Sequence, residues 1–428
     1  MKRINLKIIV AEEGDVFMGK ENLREKGINK ESEIWIEMLL ANEGDCILVT
    51  IPHEDVRILI DGGTSETYTS CLRERLLQIK EKGKGLDLLV VTHIDNDHIG
   101  GIIELLKENG SNAESKIVRI QNIWHNSYRH LQFHKELATG EAEKQILQKI
   151  VAQGVSQEMC QFAQGKKEIS ALQGTSLAAL ILQGGYNWNL HFGGKAVKKQ
   201  QEKIRLGDAC TIEVLLPGQE ELEKLAQKWK YELKRSRISF QFSEDKLFDD
   251  AYEYYYRFLA QEHIGEQKQI SARIKEYKDI KEIEKLADRQ GKTDSSKTNA
   301  ASISLLLEYR GKRILLLADN LAGKVMENGK IGGIFDAIKL PHHGSVRNIS
   351  DGFLINCVTE KYLISTSSEK YGHPDIETLA KIIVWGAKYP KQIFLNYEID
   401  KVKEFEKKVK CDKQLDIVYL AKGQKIVL

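Results

Sequence analysis

The sequence predicts an α/β protein: two stretches of short strands and helices, separated by a long, mostly helical segment. Three observations carry this expectation. Apolar, β-branched runs punctuated by turn residues fill residues 34–120 and recur after residue 298. Between them, apolar residues repeat at helical rather than strand spacing. Residues suited to metal binding stand just after strands four times over, which is where α/β sheets gather their sites.

The elements follow in order. Trp35 to Leu40, Cys46 to Ile51 and Arg57 to Ile60 read as strands of an antiparallel meander, the first two joined by the turn signal Asn42-Glu43-Gly44-Asp45. Asp61-Gly62-Gly63-Thr64 ends the third strand. A helix fits Tyr68 to Lys82, with Leu72, Leu76 and Ile79 on one stripe. The buried strand Leu86 to Thr92 runs into His93-Ile94-Asp95-Asn96-Asp97-His98-Ile99-Gly100-Gly101, and a helix is expected from Ile102 to Glu108. In the tail, strands Ile303 to Tyr309 and Arg313 to Ala318 lead to Asp319. Ala337 to Leu340 leads to Pro341-His342-His343-Gly344-Ser345, and Tyr362 to Ser365 leads towards Tyr371-Gly372-His373-Pro374.

The middle, roughly Ile120 to Lys297, shows no metal-type cluster in its sequence. Its one strand-like run, Cys210 to Leu216, ends at Pro217-Gly218. Leu222, Leu225, Trp229 and Leu233, then Phe248, Tyr252, Tyr255 and Leu259, keep helical spacing, and Gln290 to Ser296 reads as a return linker. The expected division is 1–120, 121–297 and 298–428, with the outer two parts forming one core around a helical insert.

Composition sets limits on function. A chain of 428 residues, 42% hydrophobic and 29% charged, suits a soluble globular protein of roughly two to three domain-sized units. With 64 Lys and Arg against 62 Asp and Glu, the formal charge of +2 excludes a globally cationic nucleic-acid binder and leaves only local patches. Cysteines 46, 71, 160, 210, 357 and 411 form no CxxC pair and read as scattered core residues. The apolar run Leu6 to Ala11 is broken by Lys7 and precedes no small-residue cleavage pattern. The longest apolar stretches fall well short of the roughly 20 residues a membrane helix needs. The expected location is the cytoplasm, with no membrane attachment.

The chemistry is concentrated. In His93-x-Asp95-x-Asp97-His98 the side chains at 93, 95 and 97 alternate from a loop, while His98 turns back from a helix start. Imidazoles and carboxylates at that spacing suit two adjacent divalent ions. Asp319 at a strand end can bridge the two, and His342-His343 offers another nitrogen. Gly100-Gly101 lets the backbone pass close by. Taken singly these are ordinary residues, since a loop aspartate usually caps a helix; together they point to metal. Asp95 and Asp97 make the site oxygen-rich, which widens the choice to manganese or magnesium beside zinc.

The same residues resemble a known family. THIDNDHIGG, LLLADN, KLPHHGS and YGHPD, in that order behind GDCILV and ILIDGG, are similar to the metallo-β-lactamase superfamily. Within it they resemble the branch typified by the extracytoplasmic hydrolase domain of the bacterial competence DNA-uptake channel. The likeness spans about residues 34–120 and 298–395. It implies an αββα sandwich with two divalent ions, zinc or manganese, at the edge of two facing sheets. Carried onto this sequence, Asp97, His98, Asp319 and His343 would hold one ion, and His93, Asp95 and the shared Asp319 the other. Asp97 would also orient the water, and His342 and His373 would face the substrate as catalytic groups. Asp95 stands where the more familiar pattern has histidine, a change the competence-type branch shares, and Ala318-Asp319 replaces the usual Gly-Asp. The superfamily's additional histidine has no clear match; His125, His134 and His191 are the candidates.

The implied function is a divalent-metal-dependent hydrolase that attacks with hydroxide, because a bound ion lowers the pKa of water towards about 7. Phosphodiester or nucleic-acid cleavage comes first, since the nearest branch is associated with DNA processing. A lactone or ester hydrolase, and a non-enzymatic metal-stabilised sensor docking a protein partner through the insert, are the alternatives. Stand-alone chains of this kind are also similar to components of bacterial antiviral gene clusters. The lysine-rich stretches Lys195 to Arg205 and Lys228 to Arg237 could contact phosphates, although interleaved Glu202, Glu220, Glu221 and Glu232 favour a solvated face. Asn187 to Gly194 reads as a turn or a substrate lip, and Asn299-Ala300-Ala301-Ser302 as support for the metal shell.

Overall fold

Along β2 (Ile47–Ile51) every side chain is buried, Ile47, Val49 and Ile51 in one hydrophobic cluster and Leu48 in another. A strand buried on both faces needs a layer on each side. In β8 (Ser304–Tyr309) the same alternation sends Leu305 and Leu307 into the cluster that holds Val49, and Leu306 into a third. Two sheets therefore face each other across a shared core, with helices on their outer faces. The fold is an αββα sandwich.

The computed structural model describes residues 30–131, 177–235, 280–289, 291–386, 390–409 and 415–428. The helix expected over Phe248 to Leu259 lies outside them, as does His134. The first sheet contains β1 (Trp35–Met38), β2, β3 (Val56–Ile60), β4 (Leu88–Val90), β5 (Ile123–Trp124) and β16 (Ile426–Val427), in the order β16-β1-β2-β3-β4-β5. Strands β1 to β3 form the expected antiparallel meander, with Val49 opposite Ile36 and Ile58, and β4 then joins β3 in parallel.

The second sheet contains β6 (Ile204–Leu206), β7 (Cys210–Leu216), β8, β9 (Lys312–Leu316), β11 (Ala337–Lys339), β13 (Lys361–Ile364), β14 (Lys391–Leu395) and β15 (Leu415–Tyr419). Their order is β15-β14-β13-β11-β9-β8-β7-β6. A separate parallel pair joins β10 (Gly333–Phe335) to β12 (Cys357–Thr359). Strands β5, β6 and β7 come from the middle of the chain, expected to be an insert, and they pair into the two main sheets. Periodicity shows β7; β5 and β6 have two and three residues, too few to register as a pattern.

On the outer face of the first sheet, helices Arg73–Glu81, Asn96–Asn109, Leu177–Gln183 and Gln219–Arg235 bury Leu76, Ile102, Ile181 and Leu222. Against the second sheet lie Ile280–Ala287, Asp351–Asn356, Ile376–Trp385 and Asp400–Lys408, burying Ile283, Phe353, Leu379 and Phe405. Each such side chain contributes about 1.5–3 kcal/mol by leaving water. Among the described residues no helix is long and apolar enough to cross a membrane.

The helix after β4 begins at Asn96, six residues before the expected start, so the histidine-aspartate motif winds directly onto it. Gly100 and Gly101 do not break it because packing needs them. A Cβ on Gly101 would lie 2.0 Å from the Gly62 carbonyl oxygen, so only glycine lets the helix sit against the turn after β3.

Candidate metal centre

The strand ends deliver the candidate residues to one place. His93 follows β4, Asp97 and His98 occupy the first turn of Asn96–Asn109, Asp319 follows β9, and His343 follows β11. The backbone is left-handed at Ala318, His342 and His343, with φ of 48°, 46° and 56°. For non-glycine residues this conformation carries strain, and its clustering here marks a constrained site.

The spacing of the donors is informative. His93 Nε2 lies 3.6 Å from Asp95 Oδ2 and 3.7 Å from Asp319 Oδ2. His98 Nε2 lies 3.6 Å from Asp319 Oδ1 and 3.9 Å from Asp97 Oδ2, and His343 Nε2 lies 3.4 Å from Asp97 Oδ2. These separations are long for hydrogen bonds. They approach the roughly 3.4 Å between two donors that share an ion at about 2.1 Å in tetrahedral geometry. Two donor groups, His93/His98/Asp319 and Asp97/His98/His343, each fit within 4.8 Å.

Hydrogen bonding supports the same reading. His93 Nε2, His98 Nε2, His343 Nε2 and Asp319 Oδ1 are buried without a hydrogen-bond partner. Each such orphan costs about 1–3 kcal/mol. Divalent ions in the two donor groups would together satisfy all four, so this donor set fits divalent metal.

The far side of each ring fixes its tautomer. His343 Nδ1 donates to the Ser365 carbonyl at 2.9 Å, and His98 Nδ1 to Asp61 Oδ2 at 2.8 Å. Asp61 also accepts from the Thr92 amide and hydroxyl, both at 2.7 Å, so the Thr92 oxygen is left to accept from His93 Nδ1 at 2.9 Å. In their neutral form all three rings therefore present the Nε2 lone pair inward, the arrangement that metal-ligating histidines adopt.

Charge agrees. Burial alone would lower the His98 pKa, but the carboxylates of Asp319, Asp61 and Asp97 outweigh it and raise it well above the usual histidine value. Burial opposes Asp319 ionisation, yet His342, His98 and His343 hold its pKa well below the carboxylate range. Without metal, a second proton on His98 and on His343 balances these carboxylates. A divalent ion can take that role.

His342 sits beside this cluster, its Nε2 3.7 Å from Asp319 Oδ2. Its Nδ1 is held by Asn348 Oδ1 at 3.1 Å and lies 3.4 Å from Asp294 Oδ2. Asp294 is anchored by the Ser296 amide and by the side-chain amides of Asn299 and Asn348. His373 lies next to His342 with its ring tilted, ring centres 5.5 Å apart, and its Nδ1 is 3.7 Å from Asp375. The structure thus brings His93, Asp95, Asp97, His98, Asp319 and His343 together, with His342 and then His373 extending to one side. His125 lies against Trp188 with parallel rings, and His191 Nδ1 accepts from Trp124 Nε1. Asn189, in the Asn187 to Gly194 stretch, is buried and bridges the His125 backbone to the Lys195 carbonyl, a packing role.

Sequence reasoning missed the supporting residues Asp61, Thr92, Asp45, Asp294, Asn348 and Ser365. GDCILV and ILIDGG contain two of them, and their aspartates at strand ends were the available signal. Asp294 lies in what reads as a linker.

Residues 41–137 match the family model described as the metallo-beta-lactamase superfamily. The chain is 38% identical over 89 residues to ComE operon protein 3 of Bacillus subtilis, an overlap of 18% of this chain. It spans only 12% of that protein's length. Among solved structures, the metallo-beta-lactamase fold protein YhfI from Bacillus subtilis aligns over 92% of this chain and 99% of its own, at 9% identity and TM-score 0.33. A putative metal-dependent hydrolase from Parabacteroides distasonis aligns over 90% and 92%, at 10% identity and TM-score 0.32.

Proposed function

We propose that this chain, which carries a metallo-β-lactamase superfamily hydrolase domain, is a two-metal phosphodiesterase that acts on nucleic acid. The observation that carries the metal-dependent part is the convergence of three inward-facing Nε2 atoms and Asp319, buried and without hydrogen-bond partners. His93, Asp95 and Asp319 would hold one ion, and Asp97, His98, Asp319 and His343 the other, zinc or manganese by the mixed oxygen and nitrogen donors. When bound, such a pair activates water and withdraws charge from the scissile group.

The chain's own residues divide the remaining work. Asp61 and Thr92 hold His93 and His98 in the tautomer that presents Nε2. His342, more open than the ligand histidines and braced by Asn348 and Asp294, is placed to hydrogen-bond a substrate oxygen beside Asp319, and His373 lies next to it.

The choice of a phosphodiester is supported by what borders His342. Asp294 also lines a cavity of about 130 Å³ whose wall includes Lys224, Lys297 and Lys324, together with Glu221, Ser295 and Ser296, and Lys224 is paired with Glu220. Lys297 and Lys324 beside the site suit a flanking phosphate better than an uncharged lactone or ester. Residues Gln219 to Arg289 of the insert are proposed to set substrate access or to dock a protein partner. Elemental analysis of purified protein, followed by assays on DNA, RNA, cyclic nucleotides, a generic phosphodiester and a lactone, tests the proposal. About two ions per chain and turnover confined to phosphodiesters are expected. A metal-free protein that takes up neither zinc nor manganese, or turnover of the lactone alone, would refute it.

A further inference from the structure

Lys339, the last residue of β11, is 1% exposed despite its charge. Its Nζ donates to Asp45 Oδ2 at 2.7 Å and to the Leu340 carbonyl at 3.2 Å. Asp45 is equally buried and reaches inward, its Oδ1 3.4 Å from Nδ1 of His343. Donor atoms of Asp45, Asp61 and His98 also lie within 4.8 Å of one another, a third cluster of the type that can hold a cation. In that cluster Asp61 is engaged by Thr92 and His98, whereas the positive charge set against Asp45 is Lys339.

We infer that Lys339 is a tethered cation built into the metal centre, a fixed charge held against Asp45 at the edge of the third cluster that sets the charge against which the two divalent ions bind. Resting on the two-metal reading above, the count is direct. It takes only the ligand carboxylates and those set against the ligand rings His93, His98 and His343, leaving Asp294 to His342. Asp45, Asp61, Asp95, Asp97 and Asp319 bring five negative charges and Lys339 one positive, which leaves four, the charge two divalent ions cancel. A salt bridge that merely tied the turn before β2 to β11 would need no such balance. Lys339 is a positioning residue: it acts through Asp45 and touches no substrate.

The test compares full-length wild type with Asp45→Asn, Lys339→Met and the double variant. Each is stripped with chelator, titrated calorimetrically with Mn²⁺, and melted with and without it. Asp45→Asn leaves the ammonium unopposed, so Mn²⁺ should bind roughly tenfold more weakly, the scale on which a neighbouring charge moves a buried ionic equilibrium. Lys339→Met should bind Mn²⁺ more tightly by about the same factor, while its metal-free form melts earlier. The double variant should return to within about threefold of wild type, since the two charge changes cancel.

Equal affinities in wild type and both single variants would overturn the inference. A double variant as weak as Asp45→Asn would overturn it too, by tracing the loss to the Asp45–His343 contact rather than to charge. Should Lys339→Met fail to fold, Asp45→Asn and the double variant decide the matter alone. A wild type that binds no divalent ion would refute the two-metal reading itself, whereas a wild type that binds two while the variants match it would refute only the role of Lys339.

Discussion

Replacing Asp61 by asparagine should leave the protein folded and nearly blind to metal. Asp61 is fully buried and accepts from the Thr92 amide, the Thr92 hydroxyl and His98 Nδ1. In Asp61→Asn the amide oxygen can keep the bond from the Thr92 backbone. The NH₂ then occupies the position of Oδ2 and must donate. Facing that donor, His98 Nδ1 has to accept, so its proton moves to Nε2. The Thr92 hydroxyl likewise accepts from the amide and turns its own hydrogen towards His93 Nδ1, which drives the His93 proton to Nε2. Both rings then point N–H groups at Asp319 and Asp95, where a metal would need lone pairs. Loss of one such supporting contact typically costs 10–100-fold in metal affinity, about 1.4–2.7 kcal/mol. With two rings tied to one carboxylate, a loss near 100-fold is expected. Stability should change by only about 1 kcal/mol, because no buried donor is left without an acceptor. Competition against a fluorescent zinc chelator measures the affinity, and thermal unfolding monitored by circular dichroism measures the fold. A folded Asp61→Asn within about threefold of wild-type affinity would refute the tautomer argument.

Three further outcomes are expected. Asp97→Ala should abolish phosphodiesterase turnover and leave the melting temperature near that of wild type, since Asp97 lies on the first turn of a helix and outside the packed core; activity above about a tenth of wild type would contradict its place as a ligand. Gly44→Ala should cost at least ~2 kcal/mol and weaken metal binding with it, because the new Cβ would fall 1.7 Å from the Asp97 carbonyl oxygen; unchanged unfolding in denaturant would contradict this. In the metal-free protein, burial pushes the His343 pKa down, but Asp45 and Asp319 outweigh it and raise it from 6.5 to about 10. A raised folded-state pKa stabilises fully below about pH 6.5 and is lost as pH rises through about 10. Metal must displace that proton, so Mn²⁺ affinity should climb with pH across this window, with proton release visible in calorimetry in buffers of different ionisation enthalpy; a flat pH profile would show that His343 is not a ligand.

Much of the first half was legible because its signals are local. The meander of β1 to β3 is written in β-branched runs and the Asn42–Asp45 turn, and His93 to His98 crowd six residues that can only sit on a loop and a helix start. The supporting residues were illegible for the opposite reason. Ser365 meets His343 because β13 lies beside β11, and Asp294 meets His342 through a segment with neither strand nor helix pattern. Asp61 reads as a turn aspartate until β4 places Thr92 beside it. The early helix start at Asn96 was hidden because glycines at 100 and 101 look like breakers; their role depends on the neighbouring turn. Short edge strands such as β5 carry too few residues for any periodicity, and their partners decide their state.

The donors come from two stretches, 93–98 on the first sheet and 319–343 on the second, and each stretch is pinned by strands on either side of the intervening chain. Where the chain between them is not itself packed into the sheets or their covering helices, it is a connection whose closure entropy grows only logarithmically with its length. Doubling that length would cost only about 0.6 kcal/mol. The protein can therefore lengthen or shorten the connection between β5 and the helix Leu177–Gln183 at little entropic cost, provided that helix and β6 keep their places in the core. Size and surface in that stretch are free to drift with whatever the protein must recognise, while the donors on the two sheets stay fixed.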